Sequence, residues 1–162
     1  MAKRSPGRSR TAGTARPAAA DSAPTAIRYI ESSALVAALL ERDDAALKSL
    51  RTTLTPVTSA LTFAEAARAI VRARASGRLT PDAERAAVRA LRRFERRCYV
   101  VSVTEDVLAR VRRPFPVEPV RTLDAVHLAT TELLGEAPQL ITMVTRDERV
   151  RANASALGYA VE

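Results

Sequence analysis

Short apolar runs that alternate with stretches of helical spacing set the strongest limit on what this chain can fold into. The runs are Ile27–Ile30, Leu54–Thr58, Tyr99–Val103, Leu140–Val144 and Tyr159–Val161. Helical patterns lie between them, over Ser33–Leu40, Asp43–Arg51, Thr62–Ala75, Pro81–Arg97, from Thr104 to Arg112, from Thr122 to about Gly135, and from Asp147 to Gly158. Thr80 followed by Pro81 predicts an N-cap and a first helical residue. Thr104 and Thr122 read as caps in the same way. Strands that alternate with helices predict an α/β fold, with a mostly parallel sheet covered on both faces.

Residues 27–162 suffice for one domain. Residues 1–26 are Ser, Thr, Ala, Gly, Pro and Arg without apolar period, which predicts a disordered basic tail. Aromatic residues make up only 4% of the chain, so Ala, Val and Leu must build the core. The longest apolar run, Ala34–Leu40, is far shorter than the roughly 20 residues that span a bilayer. No membrane partner is expected, and no secretory leader is evident. Cys98 is the sole cysteine and reads as an inert thiol in a reducing, cytoplasmic setting. The net charge of +8 favours polyanions such as nucleic acid. Arg85, Arg89, Arg92 and Arg96 fall on one helical stripe. That stripe is expected to meet RNA phosphate or a partner's acids, against the plainer reading of a solvated face.

Several chemistries are excluded. Five glycines form neither a dinucleotide fingerprint nor a P-loop. No G-x-S-x-G elbow is present. With His127 the only histidine and Cys98 the only cysteine, a zinc site built from several such ligands cannot form within one chain. His127 reads as a satisfied core residue, or as a support to neighbouring ligands, rather than as a metal ligand.

Carboxylates remain. Glu31 and Asp147 follow strands, whereas Glu65 and Asp124 open helices. In a parallel sheet those positions share the carboxyl edge, where open α/β sheets bind ligands. Crowded carboxylates repel one another, and a hard divalent cation relieves the conflict. Such a site can activate water and stabilise the leaving oxygen of a phosphodiester. Each acid also has a plainer reading. Thr62 and Glu65 form a T-x-x-E capping box, Asp124 favours a helix dipole, and Asp147 is an N-cap. Glu31 resists such explanation, because a carboxylate directly after a buried strand is costly without a partner.

The segments Tyr29-Ile30-Glu31-Ser32-Ser33-Ala34-Leu35, Arg121-Thr122-Leu123-Asp124-Ala125-Val126-His127-Leu128-Ala129 and Val144-Thr145-Arg146-Asp147 resemble the PIN domain, most closely the VapC-type toxins of bacterial toxin–antitoxin pairs. The resemblance covers about Ile27 to Val161. It implies a three-layer α/β/α sandwich around a central, mostly parallel sheet. It further implies an endoribonuclease dependent on Mg²⁺ or Mn²⁺, with an RNA substrate, a small antitoxin partner and a homodimeric state. Glu31, Glu65, Asp124 and Asp147 match the family's acidic positions as catalytic and metal-holding residues, and Ser33 matches its small hydroxyl position. One position departs from the pattern, which has Asp where Glu31 stands. The extra methylene carries the carboxylate roughly 1.5 Å further from the backbone. An adjusted site, a preference for Mn²⁺ and impaired catalysis are all open consequences. The second functional reading is therefore a catalytically impaired PIN-like module that binds RNA or protein. A phosphatase with an Asp-x-Asp nucleophile ranks below both, because Glu31-Ser32-Ser33 lacks that string.

Overall fold

The computed structural model describes residues 26–41, 43–51 and 53–162. The expected tail, 1–26, lies outside the described residues except for Ala26. The elements run β1 (Ile27–Ile30), α1 (Ser32–Leu40), α2 (Asp44–Leu50), β2 (Val57–Ser59), α3 (Ala60–Ala75), α4 (Pro81–Glu95) and β3 (Tyr99–Val101). They continue with α5 (Glu105–Val111), α6 (Thr122–Glu132), a 3-10 turn at Pro138–Leu140, β4 (Ile141–Val144), α7 (Glu148–Ala156) and β5 (Ala160–Val161). No described helix is long and apolar enough to cross a membrane.

The sheet order is β3-β2-β1-β4-β5, and every pairing is parallel. The chain therefore starts in the middle, steps outward to β3, and returns to the other side of β1. The β1–β4 boundary is the point where the winding reverses, which is where such sheets bind ligands. Side chains alternate across the sheet. Tyr29, Ile141 and Met143 enter one core with residues of α5, α6 and α7. Ile30 and Val144 enter the other, against α1, α2, α3 and α4. Helices thus cover both faces, giving a three-layer α/β/α sandwich. Alanines dominate the second core, with Ala34, Ala37, Ala38, Ala46, Ala66 and Ala87 buried there, as the scarcity of aromatic residues requires.

Several expected boundaries move. β2 is shorter than the run Leu54–Thr58, because Pro56 has no N–H to give a ladder. β3 stops at Val101, since that residue faces Ser59, the last of β2. The α3 helix starts at Ala60, not Thr62, and Ser59 caps it by accepting from the Leu61 N–H at 3.2 Å. Thr62 is buried and takes the Thr58 hydroxyl at 2.7 Å, so the T-x-x-E capping box does not form. Thr122 is the first residue of α6 rather than its cap; Arg121 occupies that place without a side-chain bond. Thr80 and Thr104 do cap α4 and α5. Gly77 takes φ +74° just past the end of α3, a conformation that suits a residue without Cβ.

Candidate active site at the carboxyl edge

Glu31 follows β1 directly and is only 3% exposed. Its backbone N–H still belongs to the sheet, donating to Val144 at 3.0 Å. Its carboxylate turns back to cap α1. Oε2 accepts from the Ser33 N–H at 3.0 Å, from the Ser33 hydroxyl, and from the Thr145 hydroxyl at 2.9 Å. Oε1 accepts from the Ser32 hydroxyl at 2.6 Å and lies 3.8 Å from His127 Nε2. One oxygen is an anchor, and the other faces a cluster. The donors answer the question of how a carboxylate survives burial at this point.

Glu65 sits in the second turn of α3, deeper in the helix than the first-turn position expected. Side chains on a helix lean toward its N-terminus, so the carboxylate still reaches the edge. Its Oε2 lies 2.7 Å from His127 Nε2. His127 is fully buried on α6, with Nδ1 3.0 Å from the Tyr29 hydroxyl. Burial pushes the Tyr29 phenol far above its usual value, so it stays protonated. A carboxylate oxygen only accepts, so Nε2–H donates to Glu65. Both ring nitrogens of His127 therefore have side-chain partners. One ligand-type atom each from Glu31, Glu65 and His127 lies within 4.8 Å of the others.

Asp124 occupies the third position of α6 and makes no cap bond. Its Oδ2 is buried and has no hydrogen-bond partner. Burial first, then the charges of Asp147 and Glu31, push its carboxyl above the usual aspartate range; Arg121 and His127 oppose them. Asp147 follows β4 and does cap α7, as its plainer reading held. Its Oδ1 accepts from Arg149 N–H at 2.8 Å and Val150 N–H at 3.2 Å. Oδ2 has no protein partner among the described residues. Glu31 and Glu65 are thus brought together with His127, whereas Asp124 and Asp147 stand outside that close group and are linked to it by the charge that Asp147 and Glu31 exert on Asp124.

Thr145 was not singled out by sequence reasoning, yet it ties the two strand ends together. Its hydroxyl donates to Glu31 and accepts from the Asp147 N–H at 3.0 Å. Ser33 does the same across the crevice, accepting the Arg146 N–H at 2.7 Å. A hydroxyl immediately after a buried strand was the signal available for Thr145. Cys98 lies away from this site, donates to the Phe94 carbonyl at 3.2 Å, and has its thiol pushed up to about 12 by burial. The expectation of an inert thiol agrees with that placement.

The oxygens present suit a hard divalent cation. They are carboxylate oxygens, one is buried and unpartnered among the described residues, and burial together with the charges of Asp147 and Glu31 raises the Asp124 carboxyl above its usual range.

A parallel α/β/α domain that gathers carboxylates at its switch point defines the class. Within that class the relatives are specific. The profile of the PIN domain matches residues 28–155. The chain is 36% identical over 137 residues to Ribonuclease VapC35 of Mycobacterium tuberculosis, across 82% of this chain and 93% of that protein. It is 37% identical over 135 residues to Ribonuclease VapC46 of the same species, across 82% and 94%. In fold it is similar to PAE2754 from Pyrobaculum aerophilum, with a TM-score of 0.57 at 23% identity over 84% and 83% of the two chains. It also resembles VapBC2 from Rickettsia felis, solved bound to a promoter DNA fragment, with a TM-score of 0.58 at 12% identity over 84% and 97%. This chain belongs to the PIN domain family.

Proposed function

We propose that this protein is a metal-dependent endoribonuclease, the toxin of a type II toxin–antitoxin pair, working in the cytoplasm as a homodimer with a small antitoxin partner. The observation that carries the catalytic part is the buried, unpartnered Asp124 Oδ2, held among the charges of Glu31 and Asp147. The names of the relatives at 36% and 37% identity support the substrate class and the toxin role.

Glu31, Glu65, Asp124 and Asp147 would hold the cation, Mg²⁺ with Mn²⁺ as the alternative. When bound, it would supply a water activated for attack and a counter-charge for the leaving oxygen. The protein's own part is positioning. Ser32, Ser33 and Thr145 fix the Glu31 carboxylate, so that only Oε1 faces the cluster. His127 fixes Glu65, and Tyr29 fixes His127. The N-terminus of α7 fixes Asp147 through one oxygen.

A second reading, the catalytically impaired binding module, draws support from Glu31 itself. The longer side chain has one oxygen fully engaged in capping. Calorimetry with Mg²⁺ and Mn²⁺, paired with an RNA cleavage assay, separates the two. The nuclease reading expects divalent-metal binding, cleavage abolished by EDTA, and recovery on adding excess metal. Absence of both metal binding and cleavage would establish the binding module instead.

A further inference from the structure

A concavity of about 890 Å³ between α2, β1 and β5 is basic, has part of its charge paired, and includes none of the four acids in its lining. There Arg28 is engaged with Glu162, and Arg146 with Asp43 at 2.8 Å. A smaller groove of about 320 Å³ does reach those acids, through Glu65. It lies between α3 and the start of α6, and is lined by Leu61, Ala64, Glu65, Arg68, Arg72 and Leu123.

Glu65, Arg68 and Arg72 form one row on α3 by helical spacing. The rise per residue places Arg68 about 4.5 Å beyond Glu65 along the axis, and Arg72 about 6 Å beyond Arg68. Glu65 is held by His127 at the acid cluster, so the groove begins where the chemistry is proposed to occur. Arg68 and Arg72 are exposed and meet no acid among the described residues. Other arginines of this helix pair do meet acids: Arg74 pairs with Glu84 at 3.4 Å, and Arg85 pairs with Asp82. Leu123, 47% exposed at the head of α6, flanks the row with apolar surface.

We propose that this groove is the track of the RNA strand on one side of the cleavage point, with Arg68 and Arg72 each holding a backbone phosphate. The inference rests on the ribonuclease reading above and says where its substrate lies. Two unpaired guanidiniums in line with the acid cluster meet successive phosphates of a stretched single strand, and Leu61 and Leu123 take the sugar and base faces between them. An acidic peptide would satisfy the charges, but nothing about it would require the row to start at the acid cluster. The α4 stripe of Arg85, Arg89, Arg92 and Arg96, expected from sequence to meet RNA phosphate or a partner's acids, is exposed but does not line this groove.

The test uses the full chain and its Arg68→Gln/Arg72→Gln variant. Fluorescence anisotropy with a short, end-labelled oligouridine is measured in EDTA across a KCl series, so that no cleavage occurs. Each phosphate contact on a single strand contributes about 0.7 to the salt slope, so the double variant should lose roughly 1.4. Affinity at low salt should fall at least tenfold. In cleavage assays KM should rise with kcat nearly unchanged, and Mg²⁺ binding by calorimetry should be unaltered. An unchanged salt slope and KM in a wild type that cleaves RNA overturns the groove and leaves the nuclease reading standing. The same holds if the slope instead drops in a variant with Arg85, Arg89, Arg92 and Arg96 changed to Gln. It holds too if the groove variant loses only a protein partner. A wild type that neither binds nor cleaves RNA overturns the nuclease reading and the groove together.

Discussion

Asp124→Asn should abolish nearly all RNA cleavage while leaving the folded, metal-free protein slightly more stable than wild type. The substitution nearly keeps the shape and removes the charge. Metal affinity should fall, because a buried oxygen with no protein partner is exchanged for a neutral amide. Stability should move the other way, because one negative charge leaves a site that Asp147 and Glu31 also occupy. The sign of the pH dependence follows from the raised Asp124 carboxyl. Between the ordinary aspartate value and the raised one, the folded state binds more protons than the unfolded state. Stability therefore falls as pH rises through that window, and the full penalty stands above it. Thermal melts in EDTA across the acidic range should show wild type gaining on Asp124→Asn as pH falls. The difference between the two proteins removes the contributions of Asp43, Glu118 and Glu162, whose carboxyls are held low by their partners. If Asp124 served only the α6 dipole, the variant would instead lose up to about 1 kcal/mol at neutral pH.

Glu31→Asp, the change toward the usual family residue, should lower cleavage rather than raise it. Sequence alone left both directions open. In the structure the Glu31 carboxylate spans two tasks, with Oε2 on Ser33 and Thr145 and Oε1 toward His127. An arm shorter by roughly 1.5 Å cannot reach both. Either Thr145 loses its acceptor or the cluster loses an oxygen. Cleavage should fall at least tenfold, which is about 1.4 kcal/mol of transition-state stabilisation. Where Thr145 loses its bond to the carboxylate, its buried hydroxyl keeps only Ser33 Oγ at 3.3 Å as an acceptor, at a cost of about 1–3 kcal/mol. For a domain of this size that is a fall of roughly 2–12 °C in melting temperature. Cleavage assays at saturating Mg²⁺ and thermal melts measure the two effects separately. A rise in cleavage would show that Glu31 had displaced the metal and that the backbone had not adapted to it.

The sequence by itself determined the alternation of strands and helices and the caps at Thr80 and Thr104, and it offered the four acids proposed for the site. Those features depend on residues near one another in the chain. Apolar spacing decides which face is buried, and a hydroxyl before a helix satisfies the nearest N–H groups. Placing Glu31, Glu65, Asp124 and Asp147 on one edge needed only the rule that parallel strands end together. The sequence did not determine the strand order β3-β2-β1-β4-β5, which makes β1 and β4 neighbours and so sets Thr145 against Glu31. Nor did it place His127 between Tyr29 and Glu65, residues far away in the chain. The Thr62 reading failed for the same reason. A capping box and a buried hydroxyl share one local pattern, and Thr58 on β2 decides between them. Which oxygen of each acid is free follows from donors that tertiary packing brings in. Glu31 Oε2 is saturated by Ser33 and Thr145, whereas Asp124 Oδ2 is buried with nothing to accept from. Charge and spacing along a chain fix which groups can reach an edge; only the packed structure fixes which of their lone pairs remain unsatisfied there, because the competing donors come from distant segments.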